Sequence, residues 1–180
     1  YTDVLTGERH ALSALMAVNA AGPWVDAVLG ARQAQGKRHI GGAKGSHLVL
    51  DPFPGAPDDV VYYESRVDGR LVLVIPWGKR YMIGTTDKKF DADPDTARAD
   101  EAEVDYLLGE VNALIPGAGL KPSDILYTYS GVRPLPYVPE KSEWKVPRSH
   151  VIHDHAPDCR GLLSIIGGKL TTYRSLAEET

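Results

Sequence analysis

The residues in this sequence whose types and spacing could do chemistry are a histidine, two arginines and a lysine set beside glycine or proline. They lie in Lys44-Gly45-Ser46-His47, in Ser130-Gly131-Val132-Arg133-Pro134, at Arg148, and in Gly167-Gly168-Lys169-Leu170-Thr171-Thr172-Tyr173-Arg174. Each is expected at the end of a strand, where the backbone is held and the side chain can face a cleft. Histidine titrates near working pH, so His47 suits a proton acceptor or a phosphate donor, and equally a satisfied structural histidine. Arg133 offers a rigid fork of donors for a phosphate or a developing alkoxide. Its competing reading is a buried ion pair with an acid such as Asp124 or Glu140. Arg148 stands in a polar loop, where arginines are usually solvated.

The Gly167-Gly168-Lys169 segment ends an apolar run, Leu162–Ile166. Two glycines there let another group approach the backbone, and a helix beginning near Lys169 would aim its free amides and positive dipole end at the same spot. Phosphate, carboxylate or the electron-rich edge of a flavin would suit such a device, and Lys169, Thr171 and Thr172 add a cation and two hydroxyls. An ordinary helix start with an exposed lysine fits the pattern equally well. His150, His153 and His155 flank Asp154, but their spacing matches no closed metal site and no cysteine pair accompanies them. His150 and His153 would fall on opposite faces of a strand, so no metal is expected.

The elements that must position these groups read as follows. Short strands are expected around Thr2–Leu5 and Ala14–Val18 with Thr6-Gly7-Glu8 as a turn, and Gly22-Pro23 then opens a helix through about Ala31. An antiparallel meander follows in Ser46–Leu50, Val60–Ser65, Leu71–Ile75 and Tyr81–Thr85, with Asp68-Gly69 as its hairpin signal and a second turn at Trp77-Gly78-Lys79-Arg80. Asp100 and Glu103 form a capping pattern for a helix whose buried face is Val104, Leu107, Leu108, Val111 and Leu114, ended by Pro116-Gly117. Ile125–Ser130, Val151-Ile152 and Leu162–Ile166 are further strands. The predicted class is α+β: an antiparallel sheet with flanking helices over 37–147, between end pieces of an α/β domain at 1–36 and 148–180.

Composition narrows the function classes. A formal net charge of −4 removes the basic surplus expected of a nucleic-acid binder, though local arginines still permit a small anionic substrate. The lone Cys159 cannot close an intramolecular disulfide, which points to a reducing compartment. No apolar run reaches the roughly 20 residues of a membrane span. Tyr1 and Thr180 read as cut ends, so a piece of a longer protein is expected.

Together the segments resemble the FAD-dependent glycerol-3-phosphate dehydrogenases. The resemblance runs in order through Asn19-Ala-Ala-Gly-Pro-Trp24, Lys44-Gly-Ser-His47, Ile75-Pro-Trp77, Ile83-Gly-Thr-Thr-Asp87, Tyr129-Ser-Gly-Val-Arg-Pro-Leu135, Gly167-Gly-Lys-Leu-Thr-Thr-Tyr-Arg174 and Leu176-Ala-Glu178. It implies a Rossmann-type FAD-binding domain interleaved with an antiparallel-sheet substrate domain. It implies FAD contacts at Ala21 and Gly22, near the pyrophosphate, and at Gly167, Gly168, Leu170, Thr171 and Thr172, against the isoalloxazine. His47 and Arg133 become catalytic residues, while Lys169 and Arg148 become anchors for the phosphate of glycerol 3-phosphate. The product would be dihydroxyacetone phosphate, with electrons passed to a quinone or another acceptor. Homodimerisation and a cytoplasmic location, at the inner membrane face through parts outside this sequence, are compatible with it. The family's Gly-x-Gly-x-x-Gly loop is absent here, so the segment alone is expected to hold FAD poorly and to be inactive. A related oxidase of amino acids or other small acids, and a non-catalytic binding module, are the alternatives.

Overall fold

The structure, a computed structural model, describes residues 1–30, 37–139 and 149–180. In chain order its elements are β1 (Ala17–Asn19), α1 (Val25–Leu29), β2 (Ile40–Leu50), β3 (Val61–Glu64), β4 (Leu71–Trp77), β5 (Arg80–Gly84), β6 (Lys88–Lys89), α2 (Glu101–Leu114), β7 (Ile125–Pro136), β8 (Val151–Asp154), β9 (Leu162–Ile166) and α3 (Tyr173–Glu179). They divide into two units, Tyr1–His39 with Arg148–Thr180, and Ile40–Pro147.

In the second unit, β3, β4, β5 and β2 follow one another as antiparallel neighbours, with β6 and β7 also antiparallel to β2. The Asp68-Gly69 and Gly78-Lys79 turns connect the meander where the sequence places them. β2 is the axis of this sheet. Side chains alternate between faces along a strand, so Lys44, Ser46, Leu48 and Leu50 point one way and Gly45, His47 and Val49 the other. The first face is covered by α2, whose Leu107, Leu108 and Val111 pack with Leu48, Leu50, Val72, Val74 and Ile83.

The helix start is dictated locally. Asp100 accepts a hydrogen bond from the Glu103 amide at 2.9 Å, and Glu103 accepts one from the Asp100 amide at 3.0 Å. Leu114, expected on the buried face, is instead exposed, because it lies on the last turn, past the sheet contact of Leu107, Leu108 and Val111.

β2 and β7 are longer than expected. They pair continuously from Ile40 opposite Pro136 to Leu50 opposite Ile125, with one irregularity at Val49/Leu50. His47 and Arg133 therefore lie inside strands rather than at their ends. Pro134 and Pro136 are tolerated because β7 pairs only with β2 among the described residues, leaving proline on an edge.

The first unit holds a three-stranded sheet in the order β1-β9-β8, with β1 parallel and β8 antiparallel to β9. Thr2–Leu5 is not a strand. Asp3 accepts hydrogen bonds from the amides of Leu5 and Thr6, closing a turn that leaves one bridge between Thr2 and Arg9. α1 is short, ending at Gly30, and α3 begins at Tyr173 after a single 3₁₀ turn over Leu170–Thr172 rather than at Lys169. No described helix is long and apolar enough to cross a membrane.

Candidate functional site

His47 is held on the open sheet face between two neighbours. Gly84 lies opposite it on β5 and Tyr129 opposite it on β7. The imidazole stacks on the Tyr129 ring at 4.7 Å between centroids and 4° between planes. A side chain at position 84 would overlap the His47 ring, so glycine there is what lets the imidazole lie flat. Its Nδ1 is buried with no hydrogen-bond partner among the described residues. Burial, followed by the nearby Arg133 charge, pulls the His47 pKa down to about 4. At neutral pH the ring is uncharged and has an unprotonated nitrogen to offer.

Arg133 reaches across β2 on the same face. Its guanidinium occupies the space above Gly45, which any side chain at that position would fill. From there it donates to Asp87 Oδ1 at 3.1 Å and to Thr85 Oγ1 at 3.1 Å. Among the described residues Arg133 pairs with Asp87, most of which is buried, rather than with Asp124. Glu140 lies outside the described residues. The Asp87 partner fixes the plane of the guanidinium and offsets part of its charge.

The opposite face of the same motif is a polar clamp. Lys44 Nζ sits 2.7 Å from Glu103 Oε2, a carboxylate with no solvent exposure. Ser46 Oγ and Thr86 Oγ1 donate to Glu103 Oε1 at 3.0 and 2.6 Å, and Ser46 Oγ lies 2.7 Å from Ser130 Oγ. Burial alone would raise the Glu103 pKa, but the Lys44, Thr86, Asp100 and Ser46 donors outweigh it and hold the carboxyl below its ordinary value. Lys44-Gly45-Ser46-His47 thus works by alternation: Lys44 and Ser46 fasten the strand to α2, while Gly45 and His47 shape the open face. Beyond His47, Val49, Trp77, Met82, Tyr127 and Tyr129, with Lys79 and Arg80, line a recess of about 610 Å³.

In the first unit, β1 and β9 run parallel with Asn19 opposite Ser164, so both strands deliver their C-terminal ends to one edge. β1 is followed there by Ala21 and Gly22, and β9 by Gly167 and Gly168. Ligands of parallel sheets bind at that edge. Asn19 is buried, donating to the Val25 carbonyl at 3.0 Å and accepting from the Ala21 amide at 3.3 Å, which locks the turn into α1. Gly167 and Gly168 have φ of 75° and 85°, a left-handed pair that other residues adopt only with strain. Lys169, Leu170, Thr171 and Thr172 follow as an exposed turn. His153 and His155, weighed above with His150, gather in this unit with His39, which was not singled out, while His150 pairs instead with Glu179 at 2.8 Å.

The structure thus brings His47 and Arg133 together on one sheet face and puts Ala21, Gly22, Gly167 and Gly168 on one sheet edge. Lys169 belongs to the unit of that edge, and Arg148 lies outside the described residues. Tyr129, Thr85 and Asp87 were not singled out as site residues, although both segments containing them carry the resemblance. The signal available for them was the antiparallel register itself, which sets Tyr129 and Gly84 against His47.

Residues 2–174 match the family described as FAD dependent oxidoreductase. The chain belongs to the FAD-dependent oxidoreductase family. Among curated members, it is 46% identical over 98% of its length to the glycerol-3-phosphate dehydrogenase of Synechocystis sp.. It is 36% identical over 98% of its length to the aerobic glycerol-3-phosphate dehydrogenase of Staphylococcus haemolyticus. A crystal structure of the glycerol-3-phosphate dehydrogenase from Bacillus halodurans complexed with FAD superposes with a TM-score of 0.79 at 34% identity over 99% of the chain. The chain covers 34%, 31% and 33% of those three proteins, about a third of each. Iminodiacetate oxidase from Chelativorans sp. shares the fold at a TM-score of 0.55 and 18% identity, over 87% of this chain and 37% of its own.

Proposed function

We propose that this chain supplies the substrate-domain sheet, and part of the cofactor edge, of a flavoenzyme that oxidises sn-glycerol 3-phosphate to dihydroxyacetone phosphate. The observation that carries the proposal is the pairing, on one open sheet face, of a neutral imidazole whose buried Nδ1 has no hydrogen-bond partner among the described residues with a guanidinium held by Asp87 and Thr85. The relatives' names support the substrate. FAD fits the residues present: Gly167 and Gly168 hold left-handed conformations, and at Gly22, with nothing within 4 Å of a Cβ position, the backbone is open to close approach.

When bound, FAD supplies the acceptor for the hydride that leaves C2 of the substrate. The chain's own residues manage the remaining charge and proton. The unprotonated nitrogen of His47 takes the C2 hydroxyl proton, and its low pKa keeps it available across the neutral range. Arg133 stabilises negative charge on the C2 oxygen, which eases transfer to so weak a base. Lys169 and Arg148 hold the substrate phosphate, while Tyr129 keeps the imidazole in plane. Electrons then pass to a quinone, with the protein at the cytoplasmic face of the membrane.

The test is anaerobic flavin reduction in the FAD-loaded full-length protein, with sn-glycerol 3-phosphate, glycine and iminodiacetate offered separately. Bleaching of the flavin by glycerol 3-phosphate alone is the expected outcome. Reduction by the amino acids and not by the phosphate would overturn the assignment.

A further inference from the structure

His39, His153 and His155 come from separate parts of the chain and meet at one recess of the first unit. One potential ligand nitrogen from each lies within 4.8 Å of the others. His153 and His155 are two residues apart along β8 and its extension, so both point to the same side of the sheet. His39 approaches from the segment after α1. Its ring centroid lies 4.6 Å from that of His153 and 5.6 Å from that of His155, and the latter two are 4.6 Å apart.

The His39 backbone and the His155 ring are anchored from outside the cluster. The His39 amide donates to both oxygens of Asp26 on α1, at 3.1 and 3.2 Å. His153 stands opposite Ser164 in the β8–β9 register. The Nε2 of His155 is 2.8 Å from Oγ of Ser164, a fully buried residue, so its Nδ1 is the nitrogen left to offer. For His155 this is the arrangement by which metal-binding imidazoles are oriented, with one nitrogen engaged by a fixed partner and the other available. The recess, about 210 Å³, is also lined by Asp154 and Asp158, whose charge favours a cation, and by Lys37, whose charge opposes one.

We propose that His39, His153 and His155 bind one borderline divalent transition-metal ion of the zinc class, with its remaining coordination position open to the recess. Three imidazoles suit zinc, nickel or copper rather than magnesium or calcium, which prefer oxygen donors. Nitrogens bound tetrahedrally at about 2.0–2.1 Å lie roughly 3.3 Å from one another. The ion would staple the segment preceding β2 to β8, tying together residues more than a hundred positions apart.

The experiment uses the tag-free, FAD-loaded full-length protein, stripped with a chelator and titrated calorimetrically with zinc chloride. Cobalt chloride is added in parallel to read coordination from ligand-field absorption. One equivalent of zinc and an intense four-coordinate cobalt spectrum are expected. His39→Gln and His153→Gln should each weaken zinc binding at least a hundredfold, and Ser164→Ala about tenfold through loss of the partner that orients His155. His150→Gln, outside the group, should bind as the parent does. Flavin absorbance and far-ultraviolet circular dichroism report whether each variant is folded. Absence of stoichiometric zinc binding to the unmodified protein would overturn the proposal whatever the variants do. So would binding that survives both His39→Gln and His153→Gln.

Discussion

His47 is uncharged at neutral pH because burial and the Arg133 charge both oppose its protonation, lowering its pKa from 6.5 to about 4. The unfolded chain therefore binds the extra proton first as pH falls. The stability linked to this group is present in full above 6.5 and is lost as the pH drops from there to about 4. With its partial solvent access, the loss is on the order of 1–2 kcal/mol. Urea midpoints at pH 7 and pH 4.5 should differ by more in the parent than in His47→Asn, and equal differences would refute the buried neutral imidazole. Arg133 makes a separate prediction. A lysine cannot span Thr85 and Asp87 together, since it offers a point charge in place of a planar fork. Arg133→Lys in the full-length enzyme should slow flavin reduction at saturating substrate by about 10²–10³. A wild-type rate with a raised KM would assign Arg133 to substrate binding alone. The sequence showed the chemical types of both residues. It did not show Asp87 as the arginine's partner, because that pairing spans 46 residues and depends on an empty space over Gly45.

At the scale of elements, α2 was readable almost to the residue because its signals are local. The Asp100–Glu103 capping box needs only three residues of separation, and the apolar spacing marks the sheet-facing side. The second task of Glu103 was not readable. Its contacts with Ser46 and Thr86 cross 57 and 17 residues, and a glutamate in the first turn of a helix ordinarily faces water. Here one carboxylate caps the helix and anchors β2 through Lys44, so the helix fixes the strand that carries His47. Glu103→Ala leaves the Lys44 ammonium only the Arg98 carbonyl and the longer contact with Asp100, and should destabilise the fold by about 3 kcal/mol. Replacing both members, as Lys44→Met with Glu103→Leu, removes the buried ammonium together with its lost partner and should recover at least half of that loss. Urea unfolding of the single and double variants decides it; equal losses would mean that the hydroxyl contacts, not the charge pair, hold the clamp. Strand lengths were misjudged for a related reason. Glycines and prolines in Ile40–Gly45 and Gly131–Pro136 read locally as breaks, but each strand is completed by the other across a continuous ladder.

At the scale of the whole molecule, legibility follows chain continuity. The meander and α2 form from neighbouring segments, so their hairpin and periodicity signals were sufficient. The first unit joins segments from the two ends of the sequence, and His39 meets His153 and His155 only once that joining has occurred. The same contrast bears on folding. Leu48, Leu50, Phe53, Val72, Val74, Ile83, Leu107, Leu108, Val111, Ala118 and Leu120 make one buried cluster wholly inside Ile40–Pro147. The buried large apolar side chains of the first unit are Val25, Leu29 and Ile166 among the described residues. A cluster of the former kind supports independent folding; the latter leaves a three-stranded sheet with little interior. A chain of residues 40–139 expressed alone should therefore fold, with sheet-type circular dichroism and a single urea transition. Trp77, the tryptophan of that stretch, provides a fluorescence probe on the Gly78-Lys79 turn, and its transition should coincide with the loss of backbone signal. A molten species without a cooperative transition would show that the first unit contributes to the core of the second. Coincident transitions would place the His47 and Arg133 face on a scaffold that assembles without the cofactor edge.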